Sequence, residues 1–417
     1  MNLSEKTNHV AVVGAGIVGV ATAIWLQRAG FEVTLVDREG PASGTSYGNA
    51  GILAASAVVP VTEPGILKKA PRMLLNPNEP LFLRWSYLPK LLPFLIKYLS
   101  KANLRDMEEI AGGLATMMHD TADQHLALAK GTPAEKFIKT GDYLFVYHDQ
   151  KGYEKDKLAW DVRRRKGITF EELDTAALEA YQPALAGKFG FGVRCPDHGQ
   201  IKDPGEYTKA LAMHFEQSGG KILIDNVSDI RVENGHAIGV ELSGGLLEAE
   251  NIVVTMGAWS GKLAERLGTK IPLEAERGYH VEFVGSDVDL SCPVMVTPKK
   301  FAMTSMNGRL RCAGIVEFGG LEAAPSRAPF ELIKRNVLQI FPDMKYQRID
   351  EWMGPRPSTP DSLPMVGAFH NVPNVWAGFG HQHLGLTGGP KTGRWLAQLI
   401  KGEPLNIDMA PYSPDRF

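Results

Sequence analysis

Six residues near the start of the chain, Gly14-Ala15-Gly16-Ile17-Val18-Gly19, follow the apolar run His9-Val10-Ala11-Val12-Val13 and open a helical pattern that reaches Ala29. That order suits a dinucleotide. Gly14 permits a tight turn, Gly16 lets backbone amides approach a pyrophosphate, and Gly19, with Ala23 one turn on, lets the helix pack closely on the sheet beneath it. The helix N-terminus adds its positive end to the phosphate site. Asp37 closes the next strand-like run, Phe31 to Val36, where a carboxylate accepts hydrogen bonds from an adenosine ribose. Arg38 follows, yet Asp37 beside it would repel a phosphorylated ribose. No second GxGxxG occurs, so one dinucleotide is expected, and the fingerprint by itself fits NAD and FAD alike.

Three further segments carry candidate chemistry. Gly44-Thr45-Ser46-Tyr47-Gly48-Asn49-Ala50-Gly51-Ile52-Leu53 is a polar, glycine-rich stretch able to wrap a pyrophosphate or a flavin ring. Near the other end stand Gly354-Pro355-Arg356-Pro357-Ser358-Thr359-Pro360-Asp361-Ser362-Leu363-Pro364-Met365-Val366-Gly367 and Gly378-Phe379-Gly380-His381-Gln382-His383-Leu384-Gly385-Leu386-Thr387. His381 and His383 form a His-x-His, but no third ligand cluster or Glu partner accompanies them, so no metal is expected. No Ser-His-Asp or Cys-His arrangement stands out, nor paired carboxylates of glycosidase type. Cys195, Cys292 and Cys312 are widely separated, which speaks against a disulfide framework and fits a reducing compartment. With 45 Lys plus Arg against 47 Asp plus Glu there is no global basic field for nucleic acid.

The elements that must position these groups follow from the hydrophobic pattern. The opening βαβ unit implies a parallel sheet. Leu104 to Lys130 reads as helical, Gly141 to Tyr147 as a strand, and Asp203 to Gly220 as a helix. Asn234-Gly235 signals a hairpin before the apolar strand Asn251 to Thr255. Arg277 to Val316 reads as antiparallel strands, Pro329 to Phe341 as an amphipathic helix, and Gly389 to Ile400 as a last helix after a glycine-rich turn. From Met1 to His9 the chain is polar, without a secretory pattern, and no run reaches the roughly 18 apolar residues of a spanning helix. The expected fold is α/β, with a Rossmann-like dinucleotide-binding domain in three parts, 1–58, 195–268 and 345–417. These interleave with an α+β substrate domain, 59–194 and 269–344, which contains a large mixed or antiparallel sheet.

The fingerprint, the Asn49-Ala50-Gly51 loop, Leu81-Phe82-Leu83-Arg84-Trp85 and the two C-terminal motifs together resemble the FAD-dependent amine and D-amino-acid oxidoreductases. The resemblance runs in order from Val10 to about Gly402 and is nearest to the bacterial D-amino-acid dehydrogenases. It implies FAD rather than NAD, with Val227, Gly257 and Trp259 among further cofactor contacts and Gly354, His383, Leu384, Gly385, Leu386 and Thr387 near the flavin. With no cysteine after Cys312, noncovalent FAD is implied.

Oxidising an amino acid by flavin asks little of the protein: it must aim the α-hydrogen and hold the carboxylate. Arg356 matches the family's carboxylate-binding arginine, a role its planar fork fills better than lysine. Tyr279 is expected to donate to the carboxylate and His280 to line the pocket, because Arg277-Gly278-Tyr279-His280 stands where the family places a strand over the flavin. His383 is placed at the active-site wall, and no general base is assigned. Arg311 is read as structural. A dehydrogenase passes electrons to a quinone or other carrier, and the Pro60–Ala102 stretch mixes Lys68, Lys69, Arg72, Arg84, Lys90, Lys97 and Lys101 with leucines and aromatics, as an interfacial anchor would. The expected location is cytoplasmic, with peripheral contact to the inner membrane through that stretch. An oxygen-using oxidase, an NAD-dependent dehydrogenase and a noncatalytic flavoprotein subunit remain alternatives, and the oligomeric state stays open.

Overall fold

Val10 and Val12 point to one side of the first strand, and Ala11 and Val13 to the other. In the computed structural model, which describes residues 8–66, 74, 76 and 78–417, both sides are buried. The strand His9–Val13 therefore sits inside a six-stranded sheet covered on both faces, as a continuous apolar run requires. The order across it is Met365–Phe369, Val372–Phe379, Asn251–Val254, His9–Val13, Glu32–Asp37, Lys221–Ile224, parallel except at the first pair. Helices Ile17–Arg28 and Gly385–Ile400 pack on the Val10 face. The other face is closed by a three-stranded sheet, whose hairpin turns at Asn234-Gly235 with φ of 52° and 77°, and by helix Ser260–Arg266.

The second large sheet runs in the order Arg348–Ser358, Glu274–Val284, Arg309–Phe318, Phe301–Met306, Val294–Val296, Ile138–Tyr147, Phe191–Ile201, Ile52–Leu53. It is mostly antiparallel, with parallel pairing where Leu81–Leu83 joins Arg309–Phe318 and where Val294–Val296 joins Ile138–Tyr147. Helix Arg327–Ile340 buries Phe330, Ile333 and Val337 against one face of this sheet.

Several expectations are corrected here. The strand Arg348–Ser358, which the boundary at 345 assigns to the dinucleotide part, pairs along its whole length with Glu274–Val284 in the large sheet. Phe191–Ile201, divided at 195, lies wholly in that sheet too. The last helix begins at Gly385, not Gly389. Pro390 cannot donate to the Leu386 carbonyl four residues back, and that carbonyl instead accepts from His125 Nε2 at 2.8 Å. Its glycines serve close packing, since a Cβ on Gly393 would stand 2.6 Å from Thr22 N on helix Ile17–Arg28. The stretch 60–102 proves divided. Helix Leu88–Ser100 buries Leu91, Phe94 and Tyr98 against Phe318, while Trp85, Leu92 and Ile96 stay exposed at 58%, 49% and 63%. Lys68, Lys69 and Arg72 lie outside the described residues. Among those described, no helix is long and apolar enough to cross a membrane.

Candidate active site

A cavity of about 990 Å³ runs from the C-terminal edge of the parallel sheet to the large sheet. At its first end Gly14 turns with φ of +106°, and a Cβ there would meet the Thr255 carbonyl at 2.6 Å. Gly19 faces the same turn from inside the helix, where a Cβ would overlap the Gly14 carbonyl oxygen. Gly16, Ile17 and Val18 line the cavity at the uncapped helix N-terminus, and Ser46 Oγ accepts from Ile17 N at 2.9 Å. Asp37 also lines it. One carboxylate oxygen accepts from Ala15 N at 2.8 Å and the other from Glu39 N and Gly40 N, both at 2.9 Å. Ala15 itself is buried behind the turn. Farther out, the Arg38 guanidinium lies 4.3 Å from the Trp259 ring centre, and Val227 and Gly257 complete that wall.

The middle of the cavity is where three loops meet. Thr45 Oγ1 donates to the Pro355 carbonyl at 2.8 Å, Asn49 Nδ2 to the His383 carbonyl at 3.4 Å, and Thr387 Oγ1 to the Ile52 carbonyl at 3.2 Å. Thr45, Ser46, Asn49, Ala50, Ile52, Gly354 and His383 to Thr387 all line it. Gly51 does not; it holds φ of +74° against the Ile201 carbonyl, where a Cβ would stand at 2.4 Å. Leu384, Gly385, Leu386 and Thr387 form the first turn of the last helix, so its amide end faces the cavity.

At the far end Arg356 enters from strand Arg348–Ser358, opposite Glu276 of the neighbouring strand. Its guanidinium lies over Gly278, where a Cβ would fall 2.3 Å from Nε, so only glycine leaves it room. Among the described residues Arg356 makes no hydrogen bond and no ion pair. Burial lowers its pKa, with Glu276 opposing, and burial pushes the Glu276 carboxyl above the usual carboxylate range. The His383 ring faces the cavity, where desolvation first, then the Arg356 charge, lowers its pKa to about 4.

The strand Glu274–Val284 corrects two expectations. The Tyr279 hydroxyl is occupied on the core side: it donates to Glu317 Oε2 at 2.5 Å and accepts from Ser326 N at 3.0 Å, with its ring edge-on to Phe330. Tyr279 lines the cavity, but its hydroxyl is committed to these core partners. His280 does not line the cavity. Its ring stacks on Trp352 at 5.2 Å, and Nδ1 is 3.0 Å from the Gly48 carbonyl, which makes it a prop beneath the loop. Arg311 holds the same loop. It is fully buried, paired with Glu282 at 2.7 Å, and donates to the Tyr47 and Asn49 carbonyls at 2.8 and 2.5 Å. Glu276, Tyr98 and Tyr143 line the cavity without having been anticipated, and their sequence context carries no signal beyond strand or helix patterning.

The glycine turn, the cavity-lining Asp37 and the long cleft fit FAD, and the family model that matches is the FAD-dependent oxidoreductase (DAO) model, over residues 9–399. The chain belongs to the FAD-dependent oxidoreductase family. Among relatives of this family it is 37% identical over 416 residues to a D-amino-acid oxidase of Bradyrhizobium diazoefficiens, covering 98% of this chain and 99% of that one. It is 31% identical over 421 residues to a D-amino acid dehydrogenase of Paramagnetospirillum magneticum, covering 98% of each. The fold of glycine oxidase from Geobacillus kaustophilus superposes with a TM-score of 0.75 over 98% of both chains at 21% identity. That of L-proline dehydrogenase from P. horikoshii gives 0.74 over 99% of this chain and 98% of that one, at 19% identity. The two sheets described above are therefore the family's fold.

Proposed function

We propose that this chain dehydrogenates a D-amino acid at Cα to the imino acid, which water hydrolyses to the 2-oxo acid and ammonia. The observation that carries the reading is Arg356, a guanidinium that enters the cavity with no protein partner among the described residues. Bound FAD supplies the acceptor for the hydride leaving Cα. Arg356 holds the substrate carboxylate by both oxygens and so fixes which way Cα faces. Gly278 gives the fork its flat bed. His383 contributes a neutral wall beside Arg356. At the cofactor's far end Asp37 would accept from the ribose, and the Gly16 amide would face the pyrophosphate. The D series is supported by relatives named D-amino-acid oxidase or D-amino acid dehydrogenase at 37% and 31% identity. An anaerobic flavin-bleaching screen across D- and L-amino acids, proline derivatives and N-methylglycine tests this: bleaching by D-amino acids is expected, and bleaching by L-amino acids alone would reverse the stereochemical assignment.

The electron acceptor belongs to the same proposal. Trp85, Leu92 and Ile96 form an exposed apolar set beside Lys90 and Lys97, the composition of a surface that lies on a membrane and reaches a quinone there. D-amino-acid-dependent quinone reduction should sediment with membranes. The name of the 37% relative favours a second reading, oxygen as acceptor, which stoichiometric hydrogen peroxide release from a wholly soluble enzyme would establish.

A further inference from the structure

The cavity that receives Arg356 contains a second guanidinium, Arg163, on helix Lys157–Arg165. Its neighbours in the basic run behave as surface cations: Arg164 meets Asp161 at 3.3 Å, and Arg165 pairs with Glu108. Arg163 instead turns inward. Its guanidinium lies 4.6 Å from the Trp160 ring centre and 5.4 Å from that of Phe145, and Nε donates to the Ser56 carbonyl at 3.1 Å. Ser56 is itself fixed, since His198 Nε2 accepts from its backbone N–H at 2.9 Å and lies 2.8 Å from its Oγ. An N–H can only donate, so Nδ1 of that imidazole carries the proton and donates to the Pro196 carbonyl at 2.6 Å. One edge of the Arg163 fork is thus anchored, and Nη1 and Nη2 have no hydrogen bond or ion pair among the described residues. Glu63 and Asp156 also line the cavity, but neither comes within ion-pair distance. Ala54, Tyr143, Phe145 and Met295 also line the cavity, and the Trp160 and Phe145 rings face the guanidinium but supply no counter-charge.

An oriented, unpaired cation in an apolar enclosure is costly unless something anionic completes it. From this geometry we infer that Arg163 receives the anionic end of the substrate's side chain, so that the preferred substrates are D-amino acids whose side chain ends in a carboxylate. The inference rests on the reading of the chain as an amino-acid dehydrogenase. Arg356 takes the α-carboxylate, Arg163 the distal one, and the aromatic and aliphatic lining of the shared cavity buries the methylenes.

The test compares kcat/KM of the holoenzyme for D-aspartate, D-glutamate and D-2-aminoadipate with D-glutamine and D-norleucine. The best acidic substrate should exceed D-glutamine by about 30-fold or more, the range for a desolvated charge pair. In R163M the preference for D-glutamate over D-norleucine should fall about 100-fold, and R163K should restore part of it. If R163M does not fold, wild-type binding decides: glutarate should perturb the flavin spectrum at about tenfold lower concentration than butyrate. Equal use of D-glutamate and D-glutamine, or equal binding of the two acids, overturns the inference. Flavin bleaching by D-norleucine in that case leaves the dehydrogenase reading standing, whereas no bleaching by any amino acid removes both.

Discussion

Replacing Arg356 is the most direct test of the carboxylate site, because its environment separates binding from folding. Among the described residues Arg356 has no ion pair to break. The nearest carboxyl, Glu276, is already pushed toward its neutral form by burial, so it can shed its charge when the arginine goes. Truncating one partner of a desolvated charge pair costs about 2–5 kcal/mol, which at about 1.4 kcal/mol per tenfold is a loss of roughly 30- to 4,000-fold in substrate affinity. R356M keeps the bulk over Gly278 and loses the whole term. R356K keeps the charge but not the fork, and loses about 1.5–3 kcal/mol for charged hydrogen bonds remade imperfectly. The assay is anaerobic stopped-flow reduction of the flavin, which gives Kd and the limiting rate separately, with a D-amino acid and with the corresponding amine lacking the carboxylate. Kd for the amino acid should rise by at least about 30-fold in R356M, with FAD retained and with the amine distinguishing wild type from variant far less. A Kd within threefold of wild type would refute the assignment.

Gly278→Ala should imitate part of that loss, since its Cβ would fall 2.3 Å from Arg356 Nε and push the fork aside; steady-state kinetics should show raised KM with the flavin content intact. Gly14→Ala should abolish FAD binding, because the residue holds φ of +106° and its Cβ would meet the Thr255 carbonyl at 2.6 Å; the purified protein should be colourless. His125→Phe should lower stability by about 1–3 kcal/mol, measured by thermal melting, by orphaning both the Leu386 carbonyl and the Tyr207 hydroxyl. The melting temperature of the holoenzyme should fall as pH drops from 6.5 toward 4. Burial lowers His125 and His198 to about 4 and His280 and His381 to about 3, so the unfolded chain binds more protons across that window. The raised carboxyls Glu274 and Glu276 oppose this but are outnumbered by these imidazoles together with His383, and a flat profile would show that the imidazoles hold their charge in the fold.

The dinucleotide half of the site is legible in the sequence because its physics is local: a strand, three glycines, a helix and an acid within thirty residues, each carrying its own constraint. Arg356 is legible for a similar reason, since it stands within a dense motif. Which of Tyr279 and His280 meets the cavity is not legible, because adjacent residues on a strand take opposite faces and the choice depends on pairing with strands far along the chain; Tyr279 lines it and His280 does not. The bulge between Tyr279 and His280 complicates even that parity. Arg163 is invisible in a run with Arg164, Arg165 and Lys166, whose only distinction is the direction each side chain takes from one helix. The last helix was placed late because Gly388, Gly389 and Pro390 read as a turn, and only a histidine from a distant helix makes the proline tolerable there.

His9–Val13 pairs with Asn251–Val254 across intervening strands of the large sheet, and Ile138–Tyr147 with Val294–Val296 across intervening strands of the six-stranded one. Each sheet is thus assembled from pieces that the other sheet interrupts. No run of consecutive residues can be excised as a working module, and none can be imported from a foreign chain to replace the substrate-facing half. Change in what such an enzyme accepts is therefore confined to substitutions one residue at a time on a shared frame, where every altered side chain must satisfy the cofactor's neighbours as well as the new substrate.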